Sequence, residues 1–233
     1  MSTVLLILAV LPGIIIMFKV YRMDKIEKEP FGLILLLMIL GAISCIPVAV
    51  VEGLLGNAFA SVFPAGRFLR LIDNFIGVAL IEEGAKFLVT RICTWKNKNF
   101  NYVFDAIVYT VSAALGFAIF ENIFYVSAGG IKVALLRAVL SVPGHAIFGL
   151  FMGLYYGAAK VCMVRGNKAR QRRFMWTAVL VPTVLHGIYD FCLSDQTYIA
   201  LIAFIVFVAV LYTRAWKLLK KESIEDMPLE SAE

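Results

Sequence analysis

The only two histidines in this 233-residue chain, His145 and His186, both belong to motifs set in strongly apolar sequence. Glu82 and Glu83 precede Lys86 in I-E-E-G-A-K-F, Glu121 and Asn122 close G-F-A-I-F-E-N, and His145 opens a segment at P-G-H-A. His186 and Asp190 stand four apart in L-H-G-I-Y-D-F. Carboxylates with imidazoles are the kit for activating water. A poorly solvated carboxyl group is a better proton acceptor, and a histidine or amide can steady the developing oxyanion. No nucleophile elbow G-x-S-x-G and no H-E-x-x-H zinc helix occurs in the chain. The same side chains are also metal ligands. Glu121, His145 and His186 with one of the paired glutamates could hold a divalent ion such as zinc, the other glutamate serving as base. Donors spread over four segments leave no spacing signature, so metal-dependent and metal-free hydrolysis both stay open.

The elements that must position these groups are membrane helices. The chain is 61% hydrophobic and 16% charged, with a mean hydropathy of +0.88. A soluble domain would be about 45–50% apolar and about 25% charged, and a disordered chain more polar still. Ten-residue alternating segments of a membrane barrel are missing. The expected fold is all-α, a polytopic bundle of about seven spans near residues 3–20, 32–54, 72–92, 103–127, 139–160, 174–193 and 197–216. Residues 56–71, with Pro64 and Gly66, are expected to form a short interfacial or re-entrant piece. The N-terminal run reads as a retained anchor helix rather than a signal peptide. Cys45, Cys93, Cys162 and Cys192 lack any C-x-x-C pairing and read as helix residues.

Net charge is +6, but placement makes it a topology signal instead of a nucleic-acid footprint. Seventeen of the 22 Lys and Arg fall in the loops after spans 1, 3 and 5 and in the tail. The other side holds Arg67, Arg70, Lys132 and Arg137, and Lys86 lies inside a span. Basic loops face the cytoplasm, which places the N-terminus outside and the C-terminus inside. A single integral-membrane catalytic domain is expected over 1–216, its motif core at about 75–192, followed by a frayed cytoplasmic polar tail at 217–233. No internal repeat of the kind seen in secondary transporters stands out.

Ionisable groups inside spans cost about 2.5–3.5 kcal/mol each at a helix centre, so several of them must share one polar interior. Asp73 and Asp105 lie near span ends, where capping or solvation explains them. Glu82 and Glu83 differ by about 100° around their helix. One is therefore expected to face the reaction while Lys86 or surrounding groups hold the other. Ala114, Ala118 and Glu121 share a helix face, and His145 crowns a stripe of Gly149, Gly153 and Gly157 that lets a neighbouring helix approach. Asp190 is placed to orient His186. The alternating span directions put all these groups toward the outer half of the bilayer.

E-E-x-x-K (Glu82, Glu83, Lys86), F-x-x-x-E (Phe117 to Glu121) and H-x-x-x-D (His186 to Asp190), in this order on successive helices, resemble the motif set of PrsW-type intramembrane proteases. That group lies in the superfamily of CAAX-prenyl endoproteases and bacteriocin-processing proteins. The resemblance covers residues 75–192. It implies an endopeptidase of the bacterial plasma membrane that makes the first, outer-side cut in a membrane-tethered, single-span anti-sigma factor. Glu82, Glu83, Glu121, His186 and Asp190 would then be catalytic, His145 joining them by depth and by its P-G-H context, with Lys86 and Asn122 in support. Glu121 stands where CAAX endoproteases carry histidine, which keeps both the metal and the metal-free glutamic mechanism in play. A proton- or cation-coupled transporter using the same buried groups is the competing reading, and a non-catalytic immunity-type scaffold the least favoured. The expected partners are a protein substrate and the bilayer, not nucleic acid.

Overall fold

Backbone groups in lipid must be satisfied within the segment, which favours helices wherever the chain is apolar. The computed structural model describes residues 2–195 and 197–232. Met1, Gln196 in the connection between the last two predicted spans, and Glu233 at the end of the predicted tail lie outside the described residues. Eight α-helices follow in order: α1 Thr3–Met23, α2 Phe31–Val62, α3 Arg67–Ile72, α4 Leu80–Thr94, α5 Asp105–Val139, α6 Ser141–Val164, α7 Lys168–Ser194 and α8 Tyr198–Ile224. A π-helical stretch, Asp73–Ala79, joins α3 to α4. Among the described residues the one β interaction is an isolated bridge between Tyr102 and Pro228.

Among the described residues five stretches are long and apolar enough to cross a membrane: Thr3–Met23, Phe31–Val62, Asp105–Val164, Lys168–Ser194 and Tyr198–Ile224. The third contains both the fourth and fifth expected spans. The third expected span falls on the π-helical stretch and α4, where Glu82, Glu83, Lys86 and Arg91 leave too little apolar sequence to qualify. Residues 56–71 are not one re-entrant piece. Their first half continues α2 to Val62, and α3 begins at Arg67. The break sits at Phe63, extended at φ −109°, ψ 138°, because the ring of Pro64 disfavours helical backbone in the residue before it.

A second departure lies in α5. The expected span ended near residue 127, yet the helix continues to Val139 and turns sharply at Gly130 (φ 67°, ψ −156°). That left-handed backbone suits glycine, which lacks a Cβ. Residues 121 and 137 would be about 24 Å apart along a straight helix. Instead the Arg137 guanidinium meets the Glu121 carboxylate at 2.7 Å. Residues 131–139 therefore fold back along the first limb.

The first limb of α5 is the axle of the bundle. Every residue from Asp105 to Ala118 is buried. Helix α6 lies against it along the glycine stripe read from the sequence. A Cβ on Gly153 would sit 2.7 Å from the Ile107 backbone and 2.6 Å from Thr110 Oγ1. On another side, α2 approaches so closely that a Cβ on Gly116 would overlap the Met38 carbonyl. Outward faces carry exposed Ile7, Ile14, Ile43, Leu201 and Ile205, the apolar exterior of a protein surrounded by lipid.

The most basic loops gather at one end, and the tail closes over them rather than fraying. Helix α8 runs on to Ile224, and residues 225–232 then strap across the segment that precedes α5. Val103 N–H donates to the Met227 carbonyl, Leu229 N–H donates to the Asn101 carbonyl, and Asp226 Oδ1 accepts from Phe104 N–H at 2.9 Å. Leu229 and Ala232 are buried beside Phe100, Tyr109 and Tyr156, and Arg165 donates to the Ala232 carbonyl. These apolar contacts explain why a polar-looking segment is held.

Two predictions follow from this packing. Gly153→Ala should cost about 1–3 kcal/mol, because α5 must move or Thr110 must leave its rotamer. Gly32→Ala, whose Cβ would meet nothing within 4 Å, should be neutral. Thermal unfolding in detergent separates the two. The second concerns pH. Burial pushes the Asp24 carboxyl up to about 6 and the Glu29 carboxyl up to about 7, although Tyr109 O–H donates to Glu29 Oε2 at 2.6 Å. A raised folded-state value means that stability is complete below the unfolded value near 4 and is lost as pH climbs through 6 to 7. Amide exchange in residues 97–104 and 225–232, corrected for intrinsic rate, should therefore be faster at pH 8 than at pH 5. Glu29→Gln should flatten the difference.

Candidate active site

The first turn of α4 is where the expensive residues begin. Glu82, Glu83 and Lys86 are almost wholly buried, at 4%, 0% and 0% exposure. Lys86 Nζ donates to Glu82 Oε2 and to Glu83 Oε1, both at 2.8 Å, and it lies 4.4 Å from the centre of the Phe117 ring. Four- and three-residue spacing put both carboxylates within reach of one flexible side chain. The expectation that Lys86 or neighbouring groups would hold only one of the two is thus corrected, since the ammonium bridges both. They still differ in aspect, for Glu82 lines a cleft that Glu83 does not reach.

Helices α6 and α7 bring the histidines to this cluster. Lys86 Nζ also stands 3.1 Å from His145 Nδ1. The ammonium can only donate, so Nδ1 accepts, which leaves Nε2–H to donate to Glu121 Oε2 at 3.1 Å. His186 Nδ1 faces Glu83 Oε1 at 3.0 Å, and its Nε2 faces Asp190 Oδ2 at 3.1 Å. The rings are 5.3 Å apart, and Phe148 stacks on His186 at 4.8 Å. Each imidazole thus has its Nδ1 turned to the α4 cluster and its Nε2 held by a carboxylate from α5 or from its own helix.

All six expected catalytic residues therefore meet in one place. Asn122, expected in support, is fully buried and donates to the Ala9 carbonyl at 2.8 Å, tying α1 to α5. Asp105 is also fully buried, but far from this cluster, where it accepts from the backbone N–H groups of Asn101 and Tyr102 in the loop before α5 instead of capping the helix or meeting solvent. The four cysteines are free thiols.

Glu82, Glu121, His145, His186 and Asp190 open onto a cleft of about 800 Å³, walled by apolar residues such as Ile46, Val78, Phe120 and Leu136. It lies toward the end of the bundle opposite the basic loops, where α7 finishes and α6 starts. Two of its polar residues escaped the sequence reading. Arg137 donates to Glu121 Oε2 at 2.7 Å and to Asn122 Oδ1 at 2.9 Å. By sequence it counted only as a loop charge. The Gly129–Gly130 pair between it and Glu121 was the available signal for a fold-back. Glu52, on α2, lines the cleft with a carboxylate oxygen that has no hydrogen-bond partner. It was visible as a lone charge in an apolar span.

A divalent metal fits this donor set. One ligand atom each from Glu82, Glu83, His145 and His186 lie within 4.8 Å of one another, all four residues buried. Glu83 Oε2 is buried without a partner, as an unused ligand atom would be. Glu121, named with the histidines as a metal candidate, falls outside that group and holds His145 from its other nitrogen. Lys86→Met should strand two buried carboxylates and destabilise the protein by about 3–5 kcal/mol. Lys86→Arg should retain part of that. Detergent melting curves of the two variants check this.

Comparison with known proteins adds the family. The profile described as "PrsW family intramembrane metalloprotease" matches residues 29–214. Protease PrsW of Clostridioides difficile is 34% identical over 212 residues, covering 89% of this chain and 87% of that protein. Protease PrsW of Geobacillus kaustophilus is 33% identical over 184 residues, covering 79% and 77%. That of Oceanobacillus iheyensis is 36% identical over 193 residues, covering 82% and 83%. No solved structure matches the chain. With its motif residues gathered in one buried cluster beneath a cleft, and with a family match spanning most of its length, the chain belongs to the PrsW family of intramembrane metalloproteases and is a membrane-embedded peptidase.

Proposed function

We propose that the protein hydrolyses a peptide bond in a membrane-tethered substrate, with Glu82 taking the proton from the attacking water. The observation that carries this is the position of Glu82, on the cleft wall and held by Lys86 within 3.9 Å of a nitrogen of each histidine. A carboxylate there can receive a proton at the floor of a space large enough for an extended peptide. Glu121 and Asp190 fix the two imidazoles, so that neither ring has to reorganise during the reaction.

Glu83, His145 and His186 would hold a divalent ion, which when bound polarises the scissile carbonyl and makes water more acidic. Lys86 offsets half the charge of the glutamate pair, while Phe148 stacks on His186 and the Phe117 ring faces the ammonium.

The substrate in this reading is a single-span anti-sigma factor, cut first on its outer side so that a second protease can complete its release. The motif resemblance supports this, and the cleft's position opposite the basic loops agrees with a site in the outer half of the bilayer. Seven crossings, an outer N-terminus and a bacterial plasma membrane belong to the same reading. The bias of Lys and Arg supports them, as do the bacterial sources of the similar proteases.

Purified protein in liposomes with a tethered single-span substrate tests the mechanism. Glu82→Gln should lower the cleavage rate by about 10²–10⁴-fold with the fold intact by thermal melting. Elemental analysis should find a divalent ion in the wild-type protein that His145→Ala loses. Cleavage at the normal rate by the Glu82→Gln, Glu83→Gln double variant would overturn the proposal.

A further inference from the structure

The cleft holds an acidic side chain that the hydrolytic machinery does not use. Cys45, Ala49 and Glu52 follow each other at four and three residues along α2, and all three line the cleft. That wall is apolar until Glu52, which stands roughly 31 Å along the helix from Phe31 at 1.5 Å per residue. It therefore lies toward the end of the bundle opposite the basic loops.

The other carboxylates of the cleft are matched. Glu82 is bonded to Lys86, Glu121 to Arg137, and Asp190 to His186. Glu52 makes no ion pair among the described residues, and its buried Oε1 has no hydrogen-bond partner. Arg137, the one Lys or Arg among the described lining residues, bonds Glu121 and Asn122 and makes no ion pair with it.

A carboxylate without a partner in a poorly solvated place is costly, and an incoming cation removes that cost. Resting on the reading of the cleft as a peptide-cutting site, we propose that Glu52 is a specificity determinant that selects a lysine or arginine in the substrate segment. That residue lies on the bilayer-surface side of the scissile bond. The neighbouring apolar walls take the residues between it and the bond, so the basic group is read at one register rather than as diffuse charge.

The test uses full-length protein in proteoliposomes and a library of single-span peptides whose twelve residues next to the span, on the cleft side, are randomised. Cut products are read by mass spectrometry. Peptides retained by the folded Glu82→Gln protein are read in parallel over times too short for it to cleave, so that recognition is scored without cleavage. Wild-type protein should enrich Lys or Arg roughly fivefold to tenfold at one register, in both the cut and the retained sets. Glu52→Gln should lose that enrichment while cutting lysine-free peptides at the wild-type rate. Glu52→Lys should shift the preference to Asp or Glu at the same register.

Unchanged enrichment in Glu52→Gln would overturn the proposal, as would equal slowing of all peptides or a lack of basic preference in the retained set. A library left wholly uncut by wild-type protein, with basic peptides still retained through Glu52, would instead defeat the peptidase reading and leave recognition standing.

Discussion

One ammonium group organises this protein's interior. Lys86 Nζ contacts Glu82, Glu83 and His145, which would otherwise be two carboxylates and an imidazole facing one another away from water. Like charges so placed repel strongly in a low-dielectric medium, and each would cost several kcal/mol to bury alone. With the lysine between them they form a fixed cluster. The tautomer of His145, and hence its hold on Glu121, follows from the same contact. The family's metal would draw on these donors too, so the lysine and such an ion would share one electrostatic neighbourhood.

That cluster stays assembled because α5 gives the other helices a common surface. Small residues along its first limb let α2 and α6 approach almost to backbone contact, which brings the helices bearing Glu52, His145 and Glu121 around one space. The fold-back at Gly130 then returns a cation to the same space. A straight α5 would have carried Arg137 well beyond the cleft and left Glu121 with only a histidine.

Much of this was readable from residue type and spacing. The glycine stripe of α6, the face shared by His186 and Asp190, and the convergence of both histidines with the glutamates followed from helix periodicity and from the cost of charge in lipid. Other features were not readable, for identifiable reasons. The bridging of both glutamates depends on a lysine rotamer, since spacing allows either pair. The fold-back needs the backbone angle at Gly130, which Gly-Gly permits without requiring. The strap at residues 225–232 is polar in composition and is held by two buried apolar side chains and main-chain bonds, which no hydropathy window registers.

The sequence by itself determined that this is an all-helical membrane protein carrying carboxylates and histidines within its apolar segments, because apolar length and misplaced charge are local properties of the chain. Its motif order also pointed to the family. Only the tertiary structure decided that Glu121 holds His145 while Glu83 meets His186, and that Arg137 and Glu52 share the cleft. Those relations join residues tens to more than a hundred positions apart. They are set by helix packing and chain reversal, for which a single sequence carries no spacing rule.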